Sequence, residues 1–385
     1  MFQTEMRSHL CDHILPFWQK LKDDTNGGYI GFVGMDLVPN PTAFKGCILN
    51  SRILWTFSTA ARVLNDPSYL PYAKHAFDFL KSFIDKENGG LYWSLTFDGK
   101  PLDTTKHTYC QAFAVYGLAA YARATGESEP LGMAMELLSL IESRCRDAIG
   151  YGEAYQLDFS PQSNEKLSEN GVEASRTMNT LLHVIEAYAE LYRAGQDERV
   201  AKLTAAALEQ VLSTVYNPEK GRLDVFFDGA FRSLIDLESY GHDIEASWLL
   251  WDAVNAVIPQ EARAPYRDMS LVLADSICKR ALTESGVINE CEAGKDDERR
   301  IWWVQAESVL GFLNAYELTG DDRYLGAVNS VWDSIKRLII DKRCGEWYVH
   351  AEPDGTPANL PIVDEWKCPY HNSRMCLEVI NRIHP

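Results

Sequence analysis

Three histidines, His183, His242 and His371, stand in stretches that also carry arginine, carboxamides and tryptophan. Imidazole changes charge near neutrality, so it takes up and returns a proton at similar cost in both directions. His183 follows Arg176 and Asn179 at spacings that share one helix face. His242 and Glu245 are one helical turn apart, and His371 lies between Trp366 and Arg374. Asn50 with Arg52, His107 with Tyr109, and Trp302 and Trp303 with Gln305 form similar clusters. Arginine and carboxamide donors, together with helix N-termini aimed at the same place, stabilise an oxyanion. The chemistry this set does best is proton transfer at a carbon next to a carbonyl. Zinc and serine hydrolysis and nucleotide chemistry lack their usual motifs, since there is no HExxH, GxSxG, P-loop or Rossmann glycine fingerprint. Glycoside hydrolysis stays open through a carboxylate pair drawn from Glu290, Glu292 and Asp364.

Residues so far apart need a scaffold that gathers them. A glycine followed by aromatic or β-branched residues recurs at 26–32, 88–95, 150–157, 221–227, 286–290 and 345–350. The spacing is roughly sixty residues, the signature of a repeat architecture. Between these segments, apolar spacing and stop signals predict helix pairs. The expected spans are 3–22, 46–64, 68–85, 106–125, 130–146, 171–194, 197–215, 237–258, 261–283, 300–319, 322–341 and 369–383. Pro67 and Pro130 open second helices, while Gly126, Gly195 and Gly320 are placed to end helices. One type of connection is long and aromatic and the other short, and the repeats have diverged. That asymmetry favours an all-α (α/α)6 barrel over an open solenoid, with six inner and six outer helices in a single domain, residues 1–385. The polar clusters open the even-numbered, inner helices and so converge on one mouth. His9, His13, His75 and His384 fall on outer helices or termini.

Composition narrows the partner. The 385 residues are 46% hydrophobic and 24% charged, which suits a large folded core. Lys plus Arg is 37 against 55 Asp plus Glu, a formal charge of −18, which argues against nucleic acid or an anionic membrane. No secretory leader or membrane span is evident, and nine scattered cysteines read as free thiols in a reducing cytoplasm. An acidic single domain is expected to be a monomer. Aromatics at 11% offer core, but also platforms for sugar rings.

The segments KGCILNSRILW (45–55), KHTYCQAFAVYGL (106–118), TMNTLLHVIEAY (177–188), SYGHDIEASWL (239–249), WWVQAE (302–307) and WKCPYHNSRMCLEV (366–379) resemble the N-acylglucosamine 2-epimerase family. The likeness runs through nearly the whole chain, and is strongest to the branch that inverts carbon 2 of the reducing-end glucose of β-1,4-linked disaccharides such as cellobiose. It implies an (α/α)6 barrel with no metal and no redox cofactor. By motif, His371 and His242 are expected to be the two acid/base groups acting through a cis-enediolate, with His183 assisting at the carbonyl or ring oxygen. Arg52, Tyr109 and Asn179 match positions that hold the O1/O2 end. Glu245 is expected to orient His242, and Trp303 and Trp366 to carry the sugar rings. Monosaccharide epimerisation and aldose–ketose isomerisation are the neighbouring alternatives.

Overall fold

Whether a helix is apolar all round or along one stripe decides its layer. In the computed structural model, which describes residues 2–167 and 170–383, the two kinds alternate along the chain. The first helix, α1, begins at Phe2–His9 and continues through Leu10–Ile14 and Leu15–Gln19. Then follow α2 (Cys47–Val63), α3 (Leu70–Leu80), α4 (Thr108–Thr125), α5 (Ser128–Leu140) and α6 (Met178–Gly195). The rest are α7 (Glu198–Gln210), α8 (Tyr240–Val257), α9 (Ala264–Arg280), α10 (Trp302–Thr319), α11 (Asp322–Ser334) and α12 (Tyr370–Arg382). Helix α4 is buried continuously from Thr108 to Ala122, whereas α5 buries only Pro130, Ala134 and Leu138. The former must lie inside and the latter outside.

Packing confirms the layers. Each even-numbered helix packs against the next, α2 on α4, α4 on α6, and so on to α12, which closes the ring on α2. Each odd-numbered helix covers its inner neighbour, with α1 against α12. The fold is therefore an (α/α)6 barrel. One apolar core extends from Met6 to Ile380, with a small satellite of Ala174, Val225, Phe226 and Leu237. Among the described residues, no helix is long and apolar enough to cross a membrane. His384 lies outside the described residues.

The glycine-aromatic segments build the mouth. The residues just before an inner helix pair antiparallel with the segment one repeat on: Lys45–Gly46 with Ser94–Leu95, Lys106–His107 with Ala154–Tyr155, and Arg176–Thr177 with Phe226–Phe227. Leu237–Ser239 pairs with Glu290–Glu292 and Arg300–Ile301 with His350–Ala351. A bridge between Val33 and Val363 closes this circle of rungs. The rungs also correct the expected helix starts at 106, 237 and 300, because the residues there are extended and hydrogen-bonded to the neighbouring repeat, and the start expected at 171 falls in a turn ahead of the Arg176–Thr177 rung. At the other end, Gly126 and Gly320 terminate helices at φ +75° and +69°, but Gln196 rather than Gly195 takes that left-handed conformation.

Candidate active site

Inner-helix residues one turn past the mouth divide into two jobs. Asn50, Gln111, Asp243 and Gln305 turn sideways and clamp the aromatic segments. The Tyr29 N–H donates to Asn50 at 3.3 Å, Leu91 to Gln111 at 2.8 Å, Leu223 to Asp243 at 2.9 Å and Val287 to Gln305 at 2.9 Å. Asn50 and Gln305, grouped above with the reactive residues, are thus part of the frame. His107 is also frame: it accepts from the Tyr109 N–H at 3.2 Å and meets Asn164 at 3.1 Å. Arg176 reaches Asp147 on the outer side, at 2.6 Å.

The other set faces a cavity of about 380 Å³ at the mouth. His183, His242 and His371 line it, as do Arg52, Tyr109, Asn179, Glu245, Trp303 and Trp366. Trp303 borders both outer imidazoles, with ring centroids 4.8 Å from His242 and 5.7 Å from His371. Gly241 permits this arrangement, since a β-carbon there would collide with the Trp303 indole. Arg52 donates to the Tyr109 hydroxyl at 2.8 Å and to the Trp366 carbonyl at 3.3 Å, and its guanidinium lies 4.2 Å over Phe113. The Asn179 amide oxygen is buried in the wall without a protein partner. Of the three carboxylates considered for hydrolysis, Glu290 and Asp364 reach the cavity. Glu292 lies on an outer hairpin, and Asp364 caps the Trp366 and Lys367 N–H groups at 2.8 and 2.7 Å.

Each imidazole is held at Nδ1, which leaves Nε2 for the cavity. His371 meets Glu307 at 2.7 Å, His183 meets Glu186 at 2.8 Å, and His242 meets the Ser239 hydroxyl at 2.7 Å. Glu186, Glu307 and Ser239 were not singled out from the sequence. His183 and Glu186 do share a helix turn, but Glu307 is 64 residues from His371 and carries no local signal. Glu245, expected to orient His242, is instead bonded to Arg374, which also holds Glu186 and Glu307. Arg374 therefore lies behind the cavity rather than in its mouth. Glu245, Glu307 and His371 bring donor atoms within 4.8 Å of one another, and the guanidinium bonded to both carboxylates already supplies positive charge there.

Electrostatics follow from burial. Desolvation, helped by the charge of His183, pushes His242 down to about 3. Desolvation and then Arg374 hold His371 well below its ordinary value. Both imidazoles are thus neutral at pH 7. Burial and the nearby Glu307 raise Glu245 to about 7. For Glu186, burial opposes ionisation, but Arg374 and the His183 hydrogen bond outweigh it and bring the carboxyl to about 2.

Residues 28–373 match the N-acylglucosamine 2-epimerase (GlcNAc 2-epimerase) family. The chain belongs to that family. It is 47% identical to a cellobiose 2-epimerase of Ruminococcus albus, over 99% of each chain, and 49% identical to one of Eubacterium cellulosolvens, over 96% of each. The solved cellobiose 2-epimerase of Bacillus thermoamylovorans superposes with a TM-score of 0.96 at 45% identity, covering 99% of both chains. These likenesses identify a carbohydrate epimerase, an isomerase, and agree with the barrel described above.

Proposed function

We propose that this protein is a cellobiose 2-epimerase, interconverting glucose and mannose at the reducing end of β-1,4-linked disaccharides, lactose included. Full-length identity of 43–49% to several cellobiose 2-epimerases supports the substrate. The single observation that supports the mechanism is the pairing of His242 and His371 along the Trp303 indole in one cavity. After ring opening, aided by His183, neutral His371 removes the C2 proton and a cis-enediolate forms. Arg52, Tyr109 and Asn179 stabilise its oxygens. Rotation about C2–C3 presents the other face to His242, whose affinity for a proton rises beside the developing negative charge. His242, having taken a proton from solvent, delivers it to C2, and His371 releases the proton it removed to water before the next turnover. Trp303 and Trp366 carry the sugar rings through apolar contact. We further propose that the enzyme works as a cytoplasmic monomer and needs no cofactor.

Cellobiose incubated in D2O tests the reading. Deuterium at C2 of the reducing sugar, with the glycosidic bond intact and a mannose-ended product, is expected. Release of free glucose would overturn it. Turnover of glucose or N-acetylglucosamine without turnover of cellobiose would move the assignment to a monosaccharide enzyme.

A further inference from the structure

Arg374 on α12 is 1% exposed and lies under the reactive histidines. Its guanidinium bonds Glu186 on α6, Glu245 on α8 and Glu307 on α10, the last at 2.7 Å. Two of these carboxylates are the ones that hold His183 and His371. The same guanidinium lies over the Tyr370 ring at 4.2 Å and over Trp248 at 4.9 Å, and the Trp248 indole N–H donates to Glu307 at 2.9 Å. Three carboxylates therefore meet one fixed cation in a desolvated pocket. The other charged or titratable groups around His371 are Arg52, His183 and His242, and Tyr370 lies against Arg374 and Glu186. An arginine fork spans several carboxylates in fixed directions, which a lysine ammonium cannot.

We infer that Arg374 is a positioning residue of the site: one guanidinium, reaching three inner helices, sets the carboxylates that orient His183 and His371. Its catalytic consequence rests on the epimerase reading, whereas its effect on the imidazole does not. With Arg374 in place, a proton on His371 is repelled, and the ring stays a free base. Without it, two or three uncompensated carboxylates draw a proton onto that ring.

The test compares Arg374→Met and Arg374→Lys with the unaltered protein, following ¹³C-labelled histidine by NMR against pH and kcat on cellobiose over the same range. His371→Asn assigns the resonance. In Arg374→Met, His371 is expected to take its proton about one pH unit or more higher. The acid limb of kcat should move up with it, and kcat at neutrality should fall on the order of 10²-fold, with KM changed far less. Arg374→Lys is expected to bring the titration back towards the original value while kcat stays low, because the charge is restored and the fork is not. An unmoved His371 titration in Arg374→Met, with loss only in folded fraction, would overturn the inference. If that variant does not fold, Arg374→Met with Glu245→Gln removes one carboxylate along with the cation, and the same titration decides. Should the unaltered protein leave cellobiose unchanged, the functional reading fails, and the NMR titration alone judges Arg374.

Discussion

Nδ1 of His371 lies 2.7 Å from Glu307, across 64 residues of chain, whereas His242 rests at the same distance on the hydroxyl of Ser239, three residues away. One proposed acid/base group is thus backed by a carboxylate and the other by a neutral oxygen. The carboxylate fixes the tautomer that points a lone pair into the cavity and stabilises the imidazolium once formed. Replacing His371 with alanine should abolish epimerisation. Glu307→Gln should keep the shape but lower kcat on the order of 10²-fold or more. Product analysis on cellobiose checks both, and near-normal turnover by His371→Ala would remove it as a base.

The pH profile should betray the burial of the bases. His242 is held at about 3 in the fold, against 6.5 for an ordinary histidine. His371, the proposed base for the C2 proton, is likewise held low by burial and Arg374 and stays neutral further into acid, so the acid limb of kcat/KM should lie below pH 6.5. The His242 shift also has a stability sign. The unfolded chain binds a proton at His242 below 6.5 while the folded chain does not. The stability linked to neutral His242 is therefore complete above 6.5 and is lost as pH falls towards 3. The difference in unfolding free energy between the protein and His242→Gln, measured by denaturant at pH 7 and 5, should shift in that direction.

Arg52 has a more specific expected cost. It is buried, donates to Tyr109 at 2.8 Å and lines the cavity. Losing a donor to the enediolate in a water-poor site should reduce kcat by roughly 10²–10³-fold. Arg52→Met with normal turnover would show that the oxyanion is stabilised elsewhere.

Gly241→Ala should injure catalysis without touching a reactive group. The added methyl meets the Trp303 indole, which borders both His242 and His371. A displacement of about 1 Å in such a wall costs on the order of 10²-fold in rate. Gly132, inside α5 with open space around its α-carbon, is the control. Gly132→Ala should leave turnover alone and stabilise the helix by about 0.5–1 kcal/mol. Steady-state kinetics and thermal melts separate the two outcomes.

Gln111→Leu should do the reverse of Gly241→Ala. Gln111 both accepts from Leu91 N–H and donates to Leu91 C=O, at 2.8 and 2.9 Å, in a fully buried position. Leaving those backbone groups unpaired should cost about 1–3 kcal/mol each. Turnover per folded molecule should be little changed, because Gln111 is part of the frame.

The repeat was legible because the six glycine-aromatic segments do one job around the mouth, five supplying a paired strand and the first leading into the Val33–Val363 bridge. The layer of each helix was legible too, since burial all round and burial along a stripe leave different sequence patterns. The residues facing the cavity sort from the frame less readily. Asn50, Gln305 and Arg52 look alike in a sequence, and only the position of the neighbouring loop makes the first two clamps. Helix starts at 106, 237 and 300 come too early in the sequence pattern because pairing with a distant strand outweighs local helical spacing. Glu245 illustrates the same limit: one turn from His242, it is taken by Arg374 from 129 residues away.

The helix that closes the ring, α12, follows the other eleven described helices in sequence, and it carries both His371 and Arg374. During synthesis, eleven of the twelve described helices can emerge while α1, α2 and α10 still lack the neighbour they share. Until that segment leaves the ribosome, the unfinished barrel has an unsealed greasy seam, three acidic side chains without their counterion and a mouth that lacks His371. Ring closure and activity should therefore arrive together, once α12 has been made.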